Sequence, residues 1–229
     1  MNNLMLLDEA SGIGMTSRRT RDRLIARLSD QGITNVDVLE AIRRTPRHLF
    51  LDEALAHRAY DDEALPIGKG QTISQPYIVA LMTELALAGV ADTGSSGAVL
   101  EVGTGCGYQT SVLAQLVNRV CTVERIGSLQ QGAESRLREL GFRNIEHRHG
   151  DGFVGWKDRA PFSAILVAAG AIEVPKLLMD QLAMNGKLVL PVGEGDSQSL
   201  RVITKRPSGY DQEDIALVKF VPLCRGVIA

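Results

Sequence analysis

The residues best suited to chemistry lie in one run, Val99-Leu100-Glu101-Val102-Gly103-Thr104-Gly105-Cys106-Gly107, which passes from a strand pattern into a helical one. Glycines at such a junction permit a tight turn and let the backbone approach a ligand closely. The spacing is GxGxG and Tyr108 follows, so the dinucleotide pattern GxGxxG is not met. Glu101, two residues before the first glycine, would repel a pyrophosphate and attract a cationic amino-acid group. Glu124 ends the next strand pattern, 21 residues after Gly103, where a carboxylate can accept both hydroxyls of a ribose. Asp151, in Gly150-Asp151-Gly152 after a third strand pattern, can accept from an adenine amino group while Gly152 leaves room for the ring. The ligand implied carries a ribose and a positive charge but no phosphate, and S-adenosylmethionine fits. The competing readings are a purely conformational glycine turn and a dinucleotide site. Asp-Gly is also among the commonest turn pairs.

Alternating patterns on both sides of this run supply the elements that must hold it. Strands are expected over 99–102, 119–124, 144–149, 164–169 and 187–191, and helices over 109–117, 129–140 and 175–183. Such alternation demands an α/β fold with a mostly parallel sheet covered on both faces, because parallel strands need crossover connections. Segments 200–204 and 215–221 have no helical pattern between them and predict a C-terminal antiparallel strand pair. Upstream, Thr16 or Ser17 can cap a helix with Leu24, Ile25 and Leu28 on one stripe, its arginines 18, 19, 21, 23 and 27 forming a solvated face. Asn35 can cap a second helix that stops before Thr45-Pro46. The stretch 64–76 is irregular and rich in Gly and Pro, and Pro76 suits the first turn of a helix through Val79, Leu81, Met82 and Leu85. Residues 92–97 read as a hinge and residues 1–14 as a tail, leaving 15–229 as one domain: helices and a loop over 15–95, an α/β core over 96–229.

Composition removes several function classes. The 229 residues are 45% apolar and 23% charged, an ordinary globular balance. Twenty-five basic and 27 acidic residues give a formal charge of −2, without the field that general nucleic-acid binding needs. Only 4% of residues are aromatic, which leaves few stacking platforms. The three cysteines (106, 121, 224) have neither CxxC spacing nor even number, so they read as free thiols in a reducing compartment. His147 and His149 alternate on a strand pattern, which does not make a metal site. No segment approaches the roughly 20 apolar residues of a membrane span. Residues 4–7 are apolar, but Asp8 and Glu9 follow and no basic region precedes them, so a cytoplasmic protein is expected.

Beyond these patterns, Gln71-Thr72-Ile73-Ser74-Gln75-Pro76 preceding Glu101-Val102-Gly103-Thr104-Gly105-Cys106-Gly107-Tyr108-Gln109-Thr110 resembles the protein-L-isoaspartate O-methyltransferase family. The resemblance continues through Val123-Glu124-Arg125-Ile126, Arg148-His149-Gly150-Asp151-Gly152 and Phe220-Val221-Pro222-Leu223, nearly the whole chain from Met15. It implies a Rossmann-like S-adenosylmethionine-dependent methyltransferase fold with helices on both faces of the sheet. The implied activity is methylation of the free carboxylate of L-isoaspartyl, and more weakly D-aspartyl, residues in age-damaged proteins. The ester then cyclises to a succinimide that can open to normal aspartate. Ser74 would be the active-site residue, flanked by Gln71, Thr72, Ile73, Gln75 and Pro76 on the substrate side. Glu101, Gly103, Thr104, Gly105, Gly107, Glu124, Arg125, Asp151 and Gly152 would hold S-adenosyl-L-methionine or its product S-adenosyl-L-homocysteine, with no metal. A monomer is implied as well.

The chemistry suits what the sequence lacks. An aspartyl-type carboxyl group has a pKa of about 3.9, so it is ionised at neutral pH and needs no general base. Ser74 is therefore expected to orient the acceptor within a carboxylate seat of hydroxyls and backbone N–H groups at a helix start. Helix capping is the competing role for Ser74. One departure concerns Val167-Ala168-Ala169-Gly170-Ala171-Ile172-Glu173-Val174-Pro175, where the family usually has an early threonine and more prolines. That predicts a looser segment beside the substrate. Two other functions compete: a methyltransferase of the same scaffold acting on RNA or a small hydroxylated molecule, and a non-catalytic cofactor-binding module.

Overall fold

The computed structural model describes residues 14–93, 97–195 and 197–229. Most of the expected tail, and the centre of the expected hinge, lie outside the described residues. Helix α1 (Arg18–Asp30) buries Leu24 and Leu28 on one stripe, and α2 (Val36–Arg44) buries Val38, Ala41 and Ile42. Asn35 caps α2 as its position predicts, its side-chain oxygen accepting from Asp37 N at 3.0 Å and Val38 N at 3.2 Å. The arginine face of α1 is not wholly solvated. Arg21 is buried and donates to the Arg43 carbonyl on α2, so one of the five ties the two helices together.

The irregular stretch folds into a small antiparallel hairpin, β1 (Leu65–Gly68) and β2 (Gln71–Ile73). Its turn holds Gly68, Lys69 and Gly70 at φ of 84°, 54° and 69°, a left-handed run that explains the glycine on either side of Lys69. Two residues later α3 (Pro76–Asp92) begins, with Pro76 in its first turn. It lies close on the sheet at Gly89, where a Cβ would stand 2.9 Å from Lys187 Cβ.

The main sheet contains β3 (Ala98–Val102), β4 (Arg119–Glu124), β5 (Ile145–His149), β6 (Phe162–Val167), β7 (Leu182–Glu194), β8 (Ser197–Arg206) and β9 (Gly209–Val218). Its order is β5-β4-β3-β6-β7-β8-β9. The five strands from β5 to β7 run parallel, and β7, β8 and β9 pair antiparallel; both strands of the terminal pair begin before their apolar patterns, and β9 ends at Val218, short of the expected residue 221. Crossovers carry α4 (Tyr108–Ala114), α5 (Gly127–Glu139) and α6 (Lys176–Asp180). The last is shorter than its pattern. Gln181 O accepts from Phe162 N, and its side chain bonds Val154 O, Leu177 O and Trp156 N, which turns the chain into β7.

Strand alternation divides the core. Val99, Val120, Ala164, Leu166 and Val189 face the larger apolar cluster with residues of α1 to α5. Leu100, Val102, Val123, Ile165, Val167, Leu188 and Leu190 face a smaller one, covered by Leu178 of α6 and by Trp156 and Ala160. The strand order reverses between β3 and β6, on either side of the first strand of the series. Crevices of α/β sheets open at the carboxyl ends of strands at such a reversal.

Candidate active site

At that reversal the β3–α4 turn folds over the strand ends with Gly103, Gly105 and Gly107 at φ of 94°, 54° and 90°. A side chain on any of the three would be strained, so the spacing is a backbone requirement. Gly103 N donates to Val123 O at 2.8 Å, which locks the turn to β4. Glu124, at the end of β4, is 5% exposed, and each of its oxygens holds one backbone amide. Oε2 accepts from Gly105 N at 2.9 Å, and Oε1 accepts from Ile126 N at 3.0 Å. A carboxylate oxygen has two lone pairs, so both retain capacity toward a ligand.

Above this corner lies a cavity of about 770 Å³, its open mouth included. Gly103, Thr104, Gly105, Cys106, Tyr108 and Gln109 form one wall, and Glu124, Arg125 and Gly152 line the cavity too. A Cβ on Gly152 would stand 2.4 Å from Val102 Cγ1, so the chain passes the end of β3 here at a distance that only glycine allows. Ala168, Ala169 and Val221–Cys224 close the side toward β6, and Gln71, Thr72, Ile73 and Ser74 close the outer side. The Tyr108 ring is wedged between the Arg47 guanidinium, 4.9 Å from its centroid, and Phe50, so the N-terminal third of the chain braces the glycine turn. Burial raises the Cys106 thiol above its ordinary pKa, which keeps it an un-ionised wall residue.

Two expected ligand carboxylates are not among the residues that line the cavity. Glu101 is fully buried beneath the turn, because strand alternation sends it to the side of Val99, under α4. Its Oε2 accepts from Thr110 Oγ1 at 2.5 Å and Thr122 Oγ1 at 2.6 Å, while Oε1 has no partner among the described residues. Burial pushes its carboxyl pKa up to about 7, against the pull of the two hydroxyls, and the Glu124 charge adds to the rise. Asp151 stands beside the wall that Gly152 forms, its oxygens accepting from Phe153 N and Gly226 N, each at 2.8 Å. Thr104 is in the wall, with its hydroxyl 2.6 Å from that of Thr122.

A second, wider groove runs outside the hairpin, lined by Thr72, Ser74, Gln75, Ile78, Ala168 and residues 217–221. Thr72, Ser74, Ala168 and Val221 belong to both spaces and form the partition between them. Pro76 lines neither; it starts α3 and is buried. The segment after β6 is not loose. Ala168 N donates to Val102 O, Gly170 N to Val221 O, Ala171 N to Pro191 O and Leu223 N to Gly170 O, at 2.7–3.0 Å. Gln198 packs where a Gly170 Cβ would fall and bonds both backbone groups of Phe220. Those backbone ties replace the expected prolines. Sequence reasoning missed Val79, Tyr108, Gln109 and Cys224 as lining residues, and gave no role to the Phe220-Val221-Pro222-Leu223 run that it did quote.

The reversed strand order, the left-handed GxGxG turn and the carboxylate on the neighbouring strand end define the class, an S-adenosylmethionine-dependent methyltransferase. Residues 19–227 match the family model for protein-L-isoaspartate(D-aspartate) O-methyltransferase. The chain belongs to that family. Protein-L-isoaspartate O-methyltransferases of Pseudomonas paraeruginosa and Pseudomonas aeruginosa are 58% and 57% identical to it over 215 residues, 94% of this chain and 100% of each relative. A solved Plasmodium falciparum structure named for the same enzyme, in complex with S-adenosyl-L-homocysteine, aligns with a TM-score of 0.76 at 28% identity. That alignment covers 88% of this chain and 97% of the other.

Proposed function

We propose that this protein transfers a methyl group to the free carboxylate of L-isoaspartyl residues, and more weakly D-aspartyl residues, in damaged proteins, which opens their repair through a succinimide. The observation that carries this reading is the shared partition: a side chain entering by the outer groove meets the inner cavity at Thr72 and Ser74. S-adenosyl-L-methionine, bound in the inner cavity, supplies a methyl group on a positively charged sulfur. Glu124, held by two backbone amides, would accept from the ribose hydroxyls. The turn at Gly103 and Gly105 would bring the backbone against the ligand, and Gly152, without a side chain, lines the same cavity. Arg125 lines the same corner, with its Nε donating to Gly226 O.

On the acceptor side the substrate carboxylate arrives ionised, so the site needs alignment and exclusion of water more than a base. Glu124 is the only carboxylate among the described residues lining the inner cavity, and it is engaged with the backbone. A hydroxyl or amide acceptor would need a base there, which disfavours the small-molecule and RNA readings. Ser74 donates its hydroxyl to the acceptor carboxylate and fixes its direction. Ile73, Ala168 and Val221 supply apolar surface that keeps water away. We further propose that residues 15–229 act as one unit, as a monomer in the cytoplasm. Among the described residues no helix is long and apolar enough to cross a membrane.

The test is a pair of peptides that differ only in one linkage, isoaspartyl or normal aspartyl, incubated with labelled cofactor. Label is expected on the isoaspartyl peptide alone. Equal labelling of both peptides, or of neither, overturns the reading.

A further inference from the structure

Ser74 and Gln75 are a two-residue link between β2 and α3, and the Ser74 side chain makes no hydrogen bond to a described residue. Its place is therefore set by what holds the link at each end. At one end the hairpin does so, with Leu65 paired to Ile73. At the other end, Gln75 occupies the N-cap position of α3 but its side chain makes no cap. The cap comes from Asp62, thirteen residues before Gln75 in the chain. Asp62 Oδ1 accepts from Tyr77 N at 2.8 Å, and Oδ2 accepts from Gln75 Nε2 and from Gln31 Nε2, each at 3.1 Å.

Pro76 has no N–H, so Tyr77 carries the first amide of α3, and Asp62 takes it with a charged acceptor, the arrangement a helix start favours. That amide is consequently not part of the seat for a substrate carboxylate. Asp62 lines neither the inner cavity nor the outer groove. It joins the residue after α1, the link beside Ser74 and the start of α3.

Resting on the function proposed above, we infer that Asp62 is a positioning residue for methyl transfer. It holds the Ser74–Gln75 link at the height where the acceptor carboxylate meets the inner cavity, without touching either reactant. Loss of this hold lets the link drift, and misplacement of a reacting group lowers turnover far more than it lowers binding at a separate site.

The experiment compares wild type, Asp62→Ala, Asp62→Asn and Gln75→Ala with the isoaspartyl peptide, and measures S-adenosyl-L-homocysteine binding by calorimetry on the same samples. Asp62→Ala is expected to lower kcat about tenfold or more while the dissociation constant stays within about twofold. Asp62→Asn keeps an oxygen for Tyr77 and can pair with a reoriented Gln75 amide, so it recovers turnover to within about threefold of wild type. Gln75→Ala removes one bond to Asp62 together with one side chain of the outer groove and gives an intermediate loss; in the Asp62→Ala background the same change lowers kcat by a smaller factor than in wild type, since the shared bond is already gone. Amide exchange at Tyr77 rises in Asp62→Ala and not in Gln75→Ala. Wild-type turnover in Asp62→Ala, a matching fall in cofactor-product affinity, or an Asp62→Asn as slow as Asp62→Ala overturns the inference. Should Asp62→Ala fail to fold, an unaltered kcat in Gln75→Ala overturns it equally. A wild type that labels no isoaspartyl peptide removes the proposed function and this inference together, whereas an active wild type with unaffected variants removes the inference alone.

Discussion

The inner and outer sides of the partition are built in opposite ways. The inner side is made of strand ends and one glycine turn, with backbone amides bonded to Glu124 and Val123. The outer side is assembled from a short hairpin, the first turn of α3 and residues 217–221, and distant side chains hold it: Asp62 at the helix start and Gln198 at Phe220. The contrast fits the two ligands proposed. An invariant nucleoside suits a wall fixed by main-chain geometry, whereas one altered residue in many protein contexts suits an open groove whose shape depends on side chains.

The largest expected effect tests the inner side. Glu124→Ala removes the proposed acceptor for ribose hydroxyls and leaves the Gly105 and Ile126 amides without their partner, so calorimetry should show S-adenosyl-L-homocysteine binding weakened about a hundredfold. An affinity within a few-fold of wild type would mean that the corner is held by the turn alone. On the outer side, Ser74→Ala should lower kcat about tenfold on the isoaspartyl peptide and leave that affinity unchanged, because one oriented hydrogen bond is lost. A parallel loss of affinity would erase the distinction between the two sides.

The smallest effect concerns the buried acid beneath the turn. Burial holds the Glu101 carboxyl at about 7 in the folded chain, above its ordinary 4.5. Below 4.5 the folded and unfolded chains both hold this proton; between 4.5 and 7 only the folded chain does, so stability falls as pH rises through that window. Relative to Glu101→Gln, the wild type should lose about 1 kcal/mol between pH 6 and pH 8, read from urea unfolding curves. Identical pH slopes would show that Glu101 ionises freely in the folded protein.

Much of the inner side was legible because its signals are local. GxGxG spacing permits the left-handed backbone that the turn takes, and an acid about twenty residues on falls at the next strand end. The same spacing misplaced Glu101, since counting residues to a glycine says nothing of which face of β3 a side chain takes; alternation from Val99 and the threonine on α4 decide that. The hairpin over 65–73 has an irregular sequence pattern because strands of three or four residues show too little alternation to be seen. Ser74 stood out only through resemblance. Asp62 carried no signal at all, as its three partners come from segments separated by thirteen to thirty-one positions. The long-range ties of the 168–171 segment were equally invisible, and composition alone suggested slackness where main-chain bonds supply order.

Both oxygens of Glu124 are pinned by amides of the chain itself. The entropy of ordering that carboxylate is therefore spent during folding, and an arriving nucleoside has mainly its own freedom to give up.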